Sequence, residues 1–477
     1  MNEILALSGV TQGKLIRNGS ISSAELVRAH LDRIAEINPQ LNAVIEVLEQ
    51  PALEAAQAAD QRRADGGLLS PLDGVPFSVK DSIEVAGTSC SAGTLGFRDA
   101  PRSIQDAALV HRLRSAGAIP LARTNLPDLL FAFETDNLIY GRTNNPYDLS
   151  RTCGGSSGGE AALIAACGSP FGLGSDAAGS VRLPAHFCGI AALKPTSGRL
   201  PRTGHVPPAG GWIETLWQIG PMARRIEDLC AMVPLLVGPD GHDHTVVPMP
   251  LNDAASLDAA QLRIAWFADN GISAPSAETA ATVETVAGAL GAKYCRPPRI
   301  QESYDLEMML IGADGGDDLH AYLEQIGSNR THPLLQGWLS KLEQYRAGIH
   351  EFADRWSALF AFRASMLEFL TPFDAVISPV CANAAIPHGK SIEEDTFRGF
   401  SYTMTHNVTG WPAVAVRCGE TADGLPIGVQ VAARPWREDI VLAIAMRLEE
   451  CLGGWRAPGS LRSAATAAAI ADNAQYG

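Results

Sequence analysis

The chain has 477 residues, 46% of them hydrophobic and 19% charged, the balance of a compact globular protein with a sizeable core. No apolar run reaches the length needed to cross a bilayer, and a formal charge of −15 disfavours non-specific nucleic-acid binding, which wants a basic surface. Nine scattered cysteines without a C-x-x-C pair read as reduced thiols of a cytoplasmic protein, not as a disulfide frame or zinc site, and the N-terminus lacks the features of a secretory leader.

The first predicted element is a helix over "SSAELVRAHLDRIAEI". Ser22 and Glu25 make a capping-box pattern, and Val27, Leu31, Ile34 and Ile37 fall on one stripe. A second helix is predicted over residues 52–64. From about residue 72 the pattern changes to short apolar runs ended by Gly, Pro or a polar residue: "GVPFSVKD", "GAIPLARTN", "SPFGLGSD" and "GIAALKP". Helical stretches such as "DAALVHRLRSAG" and "GEAALIAACG" lie between them. Buried strands alternating with helices predict an α/β fold around a mixed or parallel sheet. Residues 299–391 read as mostly helical and irregular, a candidate cap over a site. Further strands are predicted at "QLRIAWFA", "FDAVISPV", "WPAVAVRC" and "PIGVQVAA", the last followed by the helix "EDIVLAIAMRLEECLG". The tail "SAATAAAIADNAQYG" is expected as a helix or a frayed end. No internal repeat or linker divides the chain.

The stretch from Cys153 to Ser180, "CGGSSGGEAALIAACGSPFGLGSDAAGS", collects hydroxyls and little bulk. In "SDAAGS" the small side chains let the backbone approach a ligand. The N–H groups of Ala177, Ala178, Gly179 and Ser180 could then hold an oxyanion. Asp176 and Arg182 flank that turn with opposite charges and would brace it. The alternative is a tight turn without chemistry.

A serine nucleophile there needs a base. His186 lacks a carboxylate at a telling position and reads as a core residue. Lys80 ends "PFSVK", where strand alternation sets Phe77 and Val79 on one face and Ser78 and Lys80 on the other. Burial depresses a lysine, and reaching about 7–8 from about 10.4 takes roughly 4 kcal/mol. The alternative is an exposed Lys80–Asp81 pair. Gly154–Gly158 matches G-x-S-x-G only weakly among so many glycines, and neither His388 nor His406 has a distinctive setting. No phosphate-binding G-x-x-x-x-G-K-[ST] occurs. His242 and His244 in "GHDH" read as a surface turn rather than metal ligands.

Together "GVPFSVKDSIEVAGTSCSAGT", "ARTNLPDLLFAFETDN", "GRTNNPYD", "GGSSGGEAALIAA", "GLGSDAAGSVRLPAHFCGIAALKPTSGRL", "IGPMARRIEDL" and "GWPAVAVRCGETADGLPIGVQVAA" resemble the amidase signature family. The resemblance covers most of the chain and is nearest to the fatty-acid-amide hydrolase and aryl acylamidase branch. It implies one α/β domain over 1–477, with a central mixed sheet and helices on both faces. N-terminal helices would occupy 1–65, the signature core 72–230, a variable cap 295–395, and a return to the sheet 396–460. It also implies a Ser–cis-Ser–Lys triad: Ser180 as nucleophile, Ser156 after a cis peptide, and Lys80 as base, with Ser157 in support. Two departures stand out: Ala178 replaces a glycine before the nucleophile, and Cys153 replaces a proline.

In the family the segment of Leu129, Leu130, Phe131 and Phe133 lines the acyl side, and Trp212 and Trp217 would wall the mouth. The expectation is hydrolysis of small-molecule amides with apolar or aryl groups, anilides and carbamates (urethanes) included, without metal or organic cofactor. The enzyme is expected to be a monomer or homodimer. The alternatives are the glutamine-hydrolysing component of a transamidation complex (a glutamine amidotransferase), a histidine-dependent α/β-hydrolase esterase, and a non-catalytic binding protein.

Overall fold

The computed structural model describes residues 2–208 and 210–459. Eleven strands in them build one sheet: β1 (Val44–Val47), β2 (Pro76–Lys80), β3 (Ile119–Thr124), β4 (Phe171–Asp176), β5 (Ala191–Lys194), β6 (Gln218–Ala223), β7 (Ile264–Trp266), β8 (Lys293–Tyr294), β9 (Ala375–Pro379), β10 (Ala413–Glu420) and β11 (Pro426–Ala433). Their order is β1-β3-β2-β4-β6-β5-β10-β11-β9-β7-β8. β2 runs parallel to β3 and β4, β7 runs parallel to β8 and β9, and the other neighbours are antiparallel. The sheet is therefore mixed, as expected.

Every residue of β2, β3, β4 and β11 is buried. A strand covered on both faces needs no polar side, which is why these segments read as short apolar runs. Successive side chains still point to opposite covers. Phe77, Val79, Phe171, Leu173, Ile219, Val414 and Val416 pack with the helices 108–115, 226–236 and 438–452. Ala192, Met222 and Ala415 join the opposite layer with the helices 23–41 and 158–165. Ala413, Ala432 and Val376 lie against the helix 349–369. The result is a single-domain α/β fold with helices on both faces of one sheet.

The helix Ser23–Leu41 starts with the expected capping box: Glu25 N–H donates to Ser22 Oγ at 3.1 Å and Ser22 N–H to Glu25 Oε2 at 2.8 Å. The second helix begins at Glu49 rather than Ala52. Eight strands lie where the apolar runs place them, whereas β1, β6 and β8 were not foreseen. The expected element in the C-terminal tail lies outside the described residues. Among the described residues no helix is long and apolar enough to cross a membrane.

Candidate active site

Lys80 ends β2, and Asp176 ends the neighbouring parallel β4. The carboxyl ends of parallel strands are where α/β sheets leave room for a ligand. Alternation sends Phe77 and Val79 into one core and Ser78 to the other cover, where its hydroxyl meets Glu160 of the helix Gly158–Ala165. Lys80 is fully buried. Its Nζ bonds the hydroxyls of Ser156 at 2.7 Å, Ser157 at 3.0 Å and Ser175 at 3.1 Å. Burial pulls the amine well below its usual value, against the pull of the Asp176 and Glu160 carboxylates. Asp81 pairs not with Lys80 but with Arg123 at 3.0 Å, so the exposed lysine–aspartate alternative is not what the chain forms.

Ser156 follows a cis peptide bond from Gly155. Gly155 sits where chains crowd: a Cβ there would fall 2.6 Å from the carbonyl oxygens of both Ala132 and Glu134. Ser157 Oγ donates to Ser175 O at 3.2 Å, and Ser157 N–H donates to Ser180 O at 3.1 Å. Ser180 is 8% exposed and lines the same cavity as Ser156. Among the described residues its Oγ makes no side-chain hydrogen bond, so the structure joins Lys80 to Ser156 and brings Ser180 to the same cavity without a bond between the two hydroxyls.

Asp176 and Arg182 form a fully buried ion pair with Nη2–Oδ1 at 2.9 Å. Asn407 Nδ2 also donates to Oδ1 at 2.9 Å. Burial alone would raise the Asp176 carboxyl, but Arg182 and Asn407 hold it well below the usual range. The brace has a consequence for the turn. Gly179 N–H donates to Asp176 Oδ1 at 2.8 Å, so the expected oxyanion donor at Gly179 is already engaged. The N–H groups of Ala177, Ala178 and Ser180 remain.

The cavity measures about 140 Å3. Leu129, Leu130, Phe131 and Phe133 all line it, with Ile213, Trp217, Ile311 and Trp338. Leu129 and Leu130 carry left-handed backbone angles, φ +47° and +68°. Such non-glycine outliers cost about 1–3 kcal/mol each and gather at ligand clamps. Asp128 Oδ2 accepts the backbone N–H of His332 at 2.9 Å and ties this wall to the helix Pro333–Leu342, which carries Trp338. Trp212 does not wall the mouth. Its indole N–H donates to Leu310 O at 2.7 Å and its ring packs on Phe352, whereas Trp217, the other indole expected there, does face the cavity, along with Ile213.

Other candidates resolve into structural roles. His186 Nδ1 accepts Gly428 N–H at 2.7 Å and Nε2 faces Asn383 O at 3.0 Å, and burial pulls it down to about 4. The Cys153 thiol is fully buried against the Thr143 and Gly154 carbonyls, and burial pushes it up to about 12. The ligand atoms of Glu214, Asp243 and His244 lie within 4.8 Å of one another, but both carboxylates pair with Arg202. Sequence reasoning missed Ser175 and His205, which border the cavity. His205 Nε2 lies 3.0 Å from Ser175 Oγ. Ser175 was visible beside Asp176, but its reach to Lys80 depends on pairing of distant strands.

Fold and site together place a buried lysine amine among serine hydroxyls beside a cavity in an α/β sheet. The Amidase family model matches residues 25–442. Human fatty-acid amide hydrolase 2 is 32% identical over 96% of this chain and 91% of its own. A glutamyl-tRNA(Gln) amidotransferase component of Salinispora arenicola is likewise 32% identical, over 96% and 100%. The structure of 6-aminohexanoate cyclic dimer hydrolase complexed with substrate superposes with a TM-score of 0.85 at 27% identity, over 96% of this chain and 100% of that one. The chain belongs to the amidase signature family and is an amide hydrolase.

Proposed function

We propose that this enzyme hydrolyses the C–N bond of small amides that carry an apolar or aryl acyl group. The observation that carries the reading is the fully buried Lys80 amine bonded to Ser156 at 2.7 Å, beside a cavity shared with Ser180 and walled by Leu129, Leu130, Phe131 and Phe133. Ser180 Oγ attacks the carbonyl carbon while its proton passes to Ser156, and the Ser156 proton to the neutral Lys80 amine. Catalytic hydrogen bonds of this kind tighten when substrate binds, which suits a Ser180 hydroxyl not yet bonded to Ser156. The N–H groups of Ala177, Ala178 and Ser180 receive the oxyanion. The protons then return through Ser156 to the leaving nitrogen, which cannot depart as an anion, and water releases the acyl-enzyme. The chemistry draws on no metal or organic cofactor.

The apolar wall favours this reading over glutamine as substrate, because the amide and charged groups of glutamine would lose water there without partners. Anilides and carbamates present the same electrophilic carbonyl and fall within the class. The test is a panel of chromogenic anilides, esters, carbamates and glutamine, compared between wild type and Ser180→Ala. Ser180→Ala is expected to abolish turnover. Lys80→Ala is expected to lower anilide turnover by about 10²–10⁴-fold and ester turnover less, because esters need no proton on the leaving group. Small, equal losses on both would exclude proton delivery by Lys80.

A further inference from the structure

Lys80 touches three hydroxyls, and a neutral amine cannot treat them alike: it has two N–H donors and one lone pair. The Ser157 hydroxyl proton is committed to Ser175 O at 3.2 Å, and Ser157 Oγ also receives Ser175 N–H at 3.3 Å. Toward Lys80, Ser157 is therefore an acceptor. The orientation of Ser175 is set from the other side, by His205. His205 Nδ1 lies 3.0 Å from Pro207 O, and a carbonyl only accepts, so Nδ1 carries the proton and Nε2 presents a lone pair. Nε2 lies 3.0 Å from Ser175 Oγ and 3.1 Å from Ser82 Oγ, so its one lone pair is a shared acceptor for both hydroxyl protons. Burial keeps the ring neutral, pulling it down to about 3.

With its proton turned to His205, Ser175 Oγ is left to accept from Lys80 at 3.1 Å. Both N–H bonds of the amine are then used, on Ser157 and Ser175, and the lone pair is left for Ser156. We propose that His205 is a positioning residue that, by holding the Ser175 proton away from Lys80, aims the lysine lone pair at Ser156. Without an acceptor at Nε2, the Ser175 hydroxyl is free to turn and donate to Lys80. The lone pair would then be occupied although every atom of the triad remained present. The inference rests on the reading of Lys80 as the base.

His205 also borders the cavity, its ring 4.6 Å from that of Trp217, so a purely space-filling role would alter substrate binding. The test is a mutant cycle on an acyl anilide with separate kcat and KM. His205→Phe, which removes the acceptor, is expected to lower kcat by about tenfold with KM within about twofold. His205→Gln, whose amide oxygen can take the Ser175 proton, is expected to restore most of kcat. In a Ser175→Ala background, where no proton needs holding, His205→Phe is expected to add less than about a twofold loss. Should His205→Phe fail to fold by thermal unfolding, His205→Asn, too short to reach Ser175, takes its place in the cycle. Equal losses in both backgrounds, a change confined to KM, or no recovery in His205→Gln would overturn the proposal. Lys80→Ala measured alongside separates the two levels. Full anilide turnover by Lys80→Ala sinks the lysine as base and this inference with it, whereas an inactive Lys80→Ala with an uncoupled His205 series sinks the inference alone.

Discussion

Gly179 has φ +122°, and a Cβ added there would strike the Thr403 hydroxyl. That hydroxyl lies 2.7 Å from Ala178 O and 2.8 Å from Phe400 O, so its retreat would disturb its contact with the turn. Gly179→Ala is expected to cost about 1–3 kcal/mol from backbone strain before any steric term. It should also slow fluorophosphonate labelling of Ser180, with urea unfolding and labelling rate as the two measurements. Ala178, the family departure, has an ordinary backbone and is tolerated where Gly179 is not. At this scale much of the site could be read from local pattern. Strand alternation in "PFSVK" put Lys80 on the face opposite Phe77, and the opposite charges at Asp176 and Arg182 did become a brace. What local pattern could not carry was the direction of hydrogen bonds. The Gly179 N–H turned inward to Asp176, and Trp212 found a carbonyl on the far helix 303–311, both through contacts set by tertiary packing.

The helix Pro333–Leu342 supplies the cavity with one large side chain. Trp338 packs edge-on against Phe131 at 6.0 Å and Phe397 at 4.9 Å between ring centroids, and at a tilt against Phe133 at 5.6 Å. Trp338→Ala is expected to cost about 3–5 kcal/mol in urea unfolding, as for large buried aromatics elsewhere. Because the same ring lines the cavity, KM for an apolar anilide should rise more than kcat falls. An unchanged KM would mean that the acyl group sits elsewhere. Elements were legible in proportion to their apolar continuity. β2, β3, β4 and β11 are buried throughout and announced themselves. β6, "QIGPMA", carries Gly220 and Pro221, which break its apolar run, yet pairs with β4 along its whole length. β8 is two exposed residues with no pattern to detect. β1, only four residues long, directly follows a strongly periodic helix.

Across the described residues, four imidazoles are buried. His30, His186, His205 and His406 are all pulled below their usual value by burial. Among the described residues His406 has no partner for Nδ1; it stacks near Trp411 and faces the Arg182 guanidinium, the Lys194 amine and the Asp176 carboxylate. Below about pH 6.5 the unfolded chain takes up a proton at such a residue and the native state does not, so stability falls with falling pH. His406→Phe removes that loss. Its unfolding free energy relative to wild type is expected to improve by about 1.4 kcal/mol more at pH 5.5 than at pH 8. Equal differences at both pH values would mean that His406 takes up its proton as readily in the folded enzyme as in the unfolded chain. The fold class was legible at this scale because strand and helix runs alternate along the chain. The order of the eleven strands was not, because it depends on pairings between segments hundreds of residues apart.

Two indoles, Trp217 and Trp338, face the same cavity. Their emission depends on the polarity around the rings, so an entering ligand that displaces solvent should change colour and intensity of the intrinsic ultraviolet signal. The enzyme thus carries its own optical sensor of occupancy, readable by titrating an uncleaved amide analogue into the Ser180→Ala protein without any attached dye.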